Sequence, residues 1–214
     1  MTKLNRLQDK TQQSNQDMAH IVDRLFDILH TPDFLGMKGL ANEVPIFVHA
    51  YDAPQEDAVR RMVDGLVTRL RNNGVSVVLI DLFDLILEQL DEENRLQRIV
   101  DREVSLGKAK LLDMMINLAD PKTRLIPRLD RQMGAAGVQL TLLTGVGRVF
   151  PYLRTHSILE NLQPAMQKNP IVMFFPGNYV QEEDGSQLHL FGEHTNPKLS
   201  RAYYRAINLA KYQP

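Results

Sequence analysis

The chain has 214 residues and a mass of 24.5 kDa, with 43% hydrophobic and 24% charged side chains, a balance that suits one domain with a sizeable core. Twenty-five basic side chains against twenty-six acidic ones leave a net charge of −1, which removes any global pull towards nucleic acid or anionic lipid. The absence of cysteine excludes disulfides, a thiol nucleophile, cysteine-held iron–sulfur clusters and cysteine-based zinc sites.

The opening residues, MTKLNRLQDKTQQSNQDMAH, are too polar for a signal peptide, and no later apolar run approaches the roughly eighteen residues of a membrane span. A cytoplasmic protein with no membrane contact is expected. Residues 1–17 are mostly Gln, Asn, Thr, Lys and Asp, too poor in apolar surface to pack, and read as a flexible tail or a frayed helical turn. Residues 18–214 then form a single α/β domain. From Met18, the side chains Ile21, Val22, Leu25, Phe26, Ile28 and Leu29 recur at three-and-four spacing, which predicts an amphipathic helix ended by Pro32.

Val44 to Tyr51, VPIFVHAY, is β-branched and aromatic and predicts a buried strand. Val59, Met62, Val63, Leu66, Val67 and Leu70 then share one helical face, with Asn72-Asn73-Gly74 able to stop that helix. Val75 to Asp84, VSVVLIDLFD, follows as a second strand. Strand, helix and strand compose a βαβ unit, with parallel strands and a right-handed crossover. Residues 85–133 are helical by pattern, with Gly107, Pro121 and Pro127 as breaks or kinks. They lead to a third strand, Val138 to Gly145, and Ile171 to Phe175 supplies a fourth. Beyond the acidic turn QEEDG, the segments LHLFG and RAYYRAINL predict a late hairpin or edge strands. The expected fold is a three-layer α/β domain: a mainly parallel sheet flanked by helices, with a long helical insertion between its second and third core strands.

Ligands of open α/β sheets gather beyond the C-terminal ends of parallel strands. That rule singles out His49, Asp52, Asp81, Asp84, Thr144, Gly145, Gly147, Arg148 and Gly177. His49 is a proton donor, a metal ligand or a histidine satisfied in the core. Asp52, Asp81 and Asp84 would hold Mg²⁺ and phosphate if they converged, and otherwise cap the helices that follow them. Gly145-Val146-Gly147-Arg148 offers small residues for close approach and a guanidinium for an anion, yet Phe150-Pro151 stands where G-x-G-x-x-G would continue. A simple strand-exit turn is the favoured reading. No P-loop and no G-x-S-x-G elbow occurs, and His189, Glu193 and His194 match no zinc-binding spacing. No catalytic residue, cofactor or metal is assigned.

Charge is segregated along the chain. Residues 81–103 carry eight acidic and three basic side chains, whereas residues 120–154 carry six basic and two acidic. Lys122, Arg124, Arg128, Arg131, Arg148 and Arg154 would suit an acidic protein or a phosphate backbone, or simply a solvated face. Phe174, Phe175, Tyr179, Tyr203 and Tyr204 are of types that anchor interfaces where exposed and fill cores where buried.

Taken in order, VHAYDAP, VQLTLLTGVGRVFPYLRTHSILENL, NLQPAMQKNPIVMFFPGNY, LHLFG and RAYYRAINL resemble the BrxB family of bacteriophage exclusion (BREX) systems. The resemblance covers the chain from about Met18 to Leu209 and carries no active-site motif to transfer. It implies a part in phage defence and host DNA modification beside a methyltransferase, an ATPase and a PglZ-type alkaline-phosphatase-like protein. The last of these is the leading partner, and other BREX subunits are further ones. The residues themselves leave three functions open: an adaptor subunit, a DNA-binding module using residues 122–154, and a small metal-dependent phosphate-processing enzyme at the sheet edge.

Overall fold

In the computed structural model the described residues are 3–40, 44–162, 169–182, 185–192 and 206–213. Helix α1 (Lys3–Leu29) and the one-turn α2 (Pro32–Leu35) precede strand β1 (Ile46–Tyr51). Helix α3 (Glu56–Asn72) leads to β2 (Val77–Asp81), and α4 (Leu82–Glu92), α5 (Leu96–Leu118) and α6 (Ile126–Met133) separate β2 from β3 (Leu140–Thr144). Helix α7 (Thr155–Leu162) precedes β4 (Ile171–Glu182), β5 (Gly185–Leu190) and the two-residue β6 (Ile207–Asn208).

The sheet order is β2-β3-β4-β1-β6, parallel throughout, with β5 added antiparallel to β4. The three-layer α/β reading with its helical insertion is therefore correct. β1 and β2 are parallel, as a βαβ unit requires, but they are not neighbours, because β3 and β4 later fill the space between them. The chain first steps across the sheet to β2 and then returns through β3 to β4. Crossovers of one hand taken in opposite directions put their helices on opposite faces.

Period-two alternation sends successive strand residues to two cores. Ile46, Val48, Ile171, Met173 and Phe175 meet Leu85, Ile86, Leu129 and Ile158 of the α4–α7 layer. Phe47, Tyr51, Val172 and Phe174 meet Leu25, Leu29, Val63 and Leu66 of the α1–α3 layer. The apolar face predicted for α3 is the observed one: Val59, Met62, Val63, Leu66, Val67 and Leu70 are all buried.

Several boundaries differ from the sequence expectation. Helical backbone in α1 reaches back to Lys3, while contact with the core begins at Met18; propagation needs only i→i−4 bonds, and Lys and Gln are good helix formers. The second strand stops at Asp81, because that side chain caps α4 and turns Leu82–Glu92 into a helix. β4 runs on to Glu182 as the long arm of a hairpin with β5, in the register Gly177↔Leu190. Gly107 (φ 72°, ψ 160°) kinks α5, and Pro121 opens a single π-helical turn before α6.

Candidate functional site

Five of the nine predicted sheet-edge residues, Asp81, Asp84, Thr144, Gly145 and Arg148, converge. Asp81 ends β2 and Thr144 ends the adjacent β3, paired in register. Asp81 Oδ1 accepts from the amides of Phe83 (2.9 Å) and Asp84 (3.2 Å), and Oδ2 accepts from the Thr144 hydroxyl at 3.1 Å. Two free amides at the start of α4 are thereby satisfied. Gly145 follows with φ +77°, and a Cβ there would lie 2.5 Å from Asp81 Oδ1. Left-handed backbone and close approach together demand glycine.

The turn after Gly145 buries Val146, Val149 and Leu153, which leaves Arg148 to reach back over the strand ends. Its guanidinium lies 3.2 Å from Asp81 Oδ1 and 3.2 Å from Asp84 Oδ1, and its Cζ is 4.3 Å above the Phe83 ring. Nη1 is in ion-pair contact with Asp81 but is not aligned to donate, and it is buried without a hydrogen bond. The Tyr152 hydroxyl is likewise buried without a partner. Burial pushes its pKa up to about 12, so it is a neutral phenol at any ordinary pH.

The positive charge of this cluster is already engaged. One guanidinium already supplies the positive charge between two carboxylates, so an anion meets a net negative group and a cation meets a competitor in place. The second glycine of the loop is also filled: a Cβ on Gly147 would come 2.8 Å from Pro176 Cγ and 3.1 Å from the Phe191 ring. Gly177 lies under the same hairpin, where a Cβ would be 2.0 Å from the His189 carbonyl oxygen. The glycines fit the β4–β5 hairpin onto the strand ends rather than leave room for a phosphate.

The remaining two sheet-edge residues stand apart. Asp52 is exposed at the end of β1, with no side-chain capping bond. Three strand spacings of about 4.8 Å separate β1 from β2, so Asp52 and Asp81 cannot share an ion. His49 packs edge-on against Phe174, with ring centroids 5.5 Å apart. Burial, with the Arg24 charge adding to it, pushes its pKa down to about 4, which makes it a neutral, partly buried histidine near pH 7. His189 is buried and in contact with Gln187 Oε1 at 3.1 Å, whereas Glu193 and His194 lie outside the described residues. No three His, Asp or Glu side chains converge on a metal-sized site among the described residues.

The basic segment is placed against the acidic one. Arg124 donates to both oxygens of Glu93 (2.8 and 3.1 Å), and Arg128 pairs with Glu92. The Arg128 hydrogen bond holds the Glu92 carboxyl below its usual range. Arg131 is exposed and makes no ion pair among the described residues; it edges an open groove of about 430 Å³ beside Gln89, Glu93 and Arg124. Tyr179 donates its hydroxyl to the Ala206 carbonyl at 2.8 Å and packs on the core. Tyr203 and Tyr204 lie outside the described residues. Sequence reasoning found the two charge blocks but not their pairing. Opposite sign and a helical insertion between them were the available signal.

No helix among the described residues is long and apolar enough to cross a membrane. No solved structure matches the chain at a significant level. A family model described as "BREX protein BrxB" matches residues 78–209. Two proteins named BREX protein BrxB are similar along most of their length. One, from Bacillus cereus (strain H3081.97), is 37% identical over 201 residues, 90% of this chain and 98% of its own. The other, from Escherichia coli O9:H4 (strain HS), is 26% identical over 179 residues, 82% of this chain and 83% of its own. A matching family model and a relative of this identity along nearly the whole chain agree with the resemblance carried by the C-terminal segments: the chain belongs to the BrxB family.

Proposed function

We propose that this chain acts in BREX phage defence as a non-catalytic adaptor in the cytoplasm, holding other subunits through protein–protein contacts. The observation that carries this reading is the Asp81–Arg148–Asp84 cluster. It occupies the strand ends where α/β enzymes place their ligands, and its one guanidinium is already held by two carboxylates. A PglZ-type alkaline-phosphatase-like protein is the first partner to test, because the family resemblance implies such a protein beside this one.

The decisive experiment is reconstitution with the purified subunits of the chain's own BREX system, read by size-exclusion chromatography and light scattering. A discrete complex with at least one subunit is expected, and it should survive Asp52→Asn. Absence of any complex overturns the adaptor reading. Direct DNA binding is the weaker alternative, since Arg124, Arg128 and Arg148 are already paired with carboxylates. It requires duplex affinity at low salt that falls steeply as salt is added.

A further inference from the structure

We infer that the outer edge of β2 is an interaction surface for a second copy of this chain. The two β2 strands pair antiparallel about a twofold axis at Leu79, so that Arg71 of each copy meets the Asp81–Asp84 end of the other. This self-pairing goes beyond the adaptor role and does not depend on it.

Strand β2 ends the sheet order, so one side of it has no strand beside it. The phase of the ladder says which backbone groups lie there. The Leu140 amide donates to the Ser76 carbonyl at 3.2 Å, and the strands pair in the register Val77↔Leu140. Alternate residues of a parallel strand bond the same neighbour. Val78 and Ile80 therefore turn their backbone groups to β3, while Val77, Leu79 and Asp81 turn theirs outward. Of the outward groups, the Val77 carbonyl accepts from Arg71 Nη2 at 2.9 Å. No turn, loop or helix among the described residues bonds the amide or the carbonyl of Leu79. The strand reads VVLID and pairs with β3 without a bulge, so it carries neither the Lys, the Pro nor the irregularity that commonly blunts an edge.

This edge is complementary to itself. Opposed residues of an antiparallel pair exchange both hydrogen bonds at alternate positions. With Leu79 opposite its own counterpart, each leucine amide donates to the other's carbonyl. The Asp81 amide of each copy then donates to the other's Val77 carbonyl, which has a second lone pair beside its Arg71 bond. Charge selects a second copy over an arbitrary extended segment. Arg71, exposed in the last turn of α3, marks one end of the edge. Asp81 and Asp84 mark the other end, where the single Arg148 guanidinium leaves one carboxylate in excess. Antiparallel self-pairing sets Val77 opposite Asp81 and so brings the positive end of one copy to the negative end of the other, twice over. Leu79, half-buried on the α1–α3 face, meets its counterpart as a cross-strand pair. One patch serving both subunits is the isologous geometry of a twofold dimer.

Sedimentation of the full chain over rising concentration, with amide exchange read at the same concentrations, tests the pairing. The parent should dimerise as concentration rises, and the Leu79 and Asp81 amides should exchange about tenfold or more slowly than in the dilute monomer. Arg71→Glu sets like charges together and should weaken the dimer about tenfold or more. Leu79→Pro removes the outward amide while sparing the bonds of Val78 and Ile80 to β3, and should abolish the dimer. Glu160→Lys, exposed on α7, should stay within about threefold of the parent. Urea midpoints show which variants fold; Arg71→Glu gives up one surface hydrogen bond and decides the matter if Leu79→Pro does not fold. A parent that is monomeric up to about 1 mM overturns the pairing, and so does a dimer indifferent to Arg71→Glu. A monomeric parent whose binding to another BREX subunit is lost in Leu79→Pro would give the edge to that subunit and overturn the second copy.

Discussion

Replacing Asp81 tests whether the sheet-edge cluster is architecture or machinery. The side chain is 12% exposed and does three things at once. It caps α4 through the Phe83 and Asp84 amides, accepts from Thr144, and faces the Arg148 guanidinium. Losing the cap costs about 1 kcal/mol and the threonine hydrogen bond about 1 kcal/mol. Stranding a half-buried guanidinium, with Asp84 still beside it, adds about 1 kcal/mol. Asp81→Ala should therefore lose about 3 kcal/mol, or roughly 6–12 °C in Tm for a chain of this size. Asp81→Asn keeps the cap and gives up mainly the charge, so about 1–2 kcal/mol is expected. Urea unfolding followed by circular dichroism measures both. Below the variants' own transitions, affinity for the partner subunit should equal the parent's. A loss under about 1 kcal/mol for Asp81→Ala would refute the cap-and-bridge account. Weakened binding by a fully folded Asp81→Asn would return the cluster to the functional residues.

Other perturbations probe separate links. Gly177→Ala places a Cβ against the His189 carbonyl and should cost about 2–3 kcal/mol by prising the β4–β5 hairpin from its register, seen as a lowered urea midpoint; a neutral result would mean the hairpin yields freely. His49 titrates at about 4 when folded and near 6.5 when unfolded. The unfolded chain thus binds the extra proton first, and stability should fall as pH drops from about 6.5 towards 4, by up to about 3 kcal/mol. His49→Gln should flatten the difference between urea midpoints at neutral and acid pH, and an unaltered pH profile would show that His49 is not its source. Across Arg124 and Glu93, both about 30% exposed, a double-mutant cycle should give a coupling of about 0.5–1 kcal/mol that shrinks in high salt. Zero coupling would mean the opposed charge blocks merely lie near each other.

Much of the fold was legible because local chemistry and tertiary environment agreed. The i, i+3, i+4 pattern from Val59 to Leu70 names the buried face of α3 without any knowledge of what covers it. The doubly apolar runs at Ile46–Tyr51 and Ile171–Phe175 belong to strands covered on both faces, as continuous hydrophobicity implies. Asp81 was open to two readings, metal ligand or helix cap, and its two capping bonds decide for the cap. Gly145 and Gly147 look alike to a ligand loop and to a packed turn, because a missing Cβ serves both. Only the Asp81 carboxylate and the Pro176–Phe191 hairpin beside them show which is present.

The sequence by itself determined the α/β class, the long helical insertion, the core-facing side chains and the family, because hydrophobic period, turn residues and ordered local wording are properties of neighbours along the chain. The order of the strands, the separation of Asp52 from Asp81, and the pairing of Glu92 and Glu93 with Arg128 and Arg124 were decided only by tertiary structure. Each depends on which distant segments meet, and side-chain pairing energies of about 1 kcal/mol leave no periodic trace in a sequence.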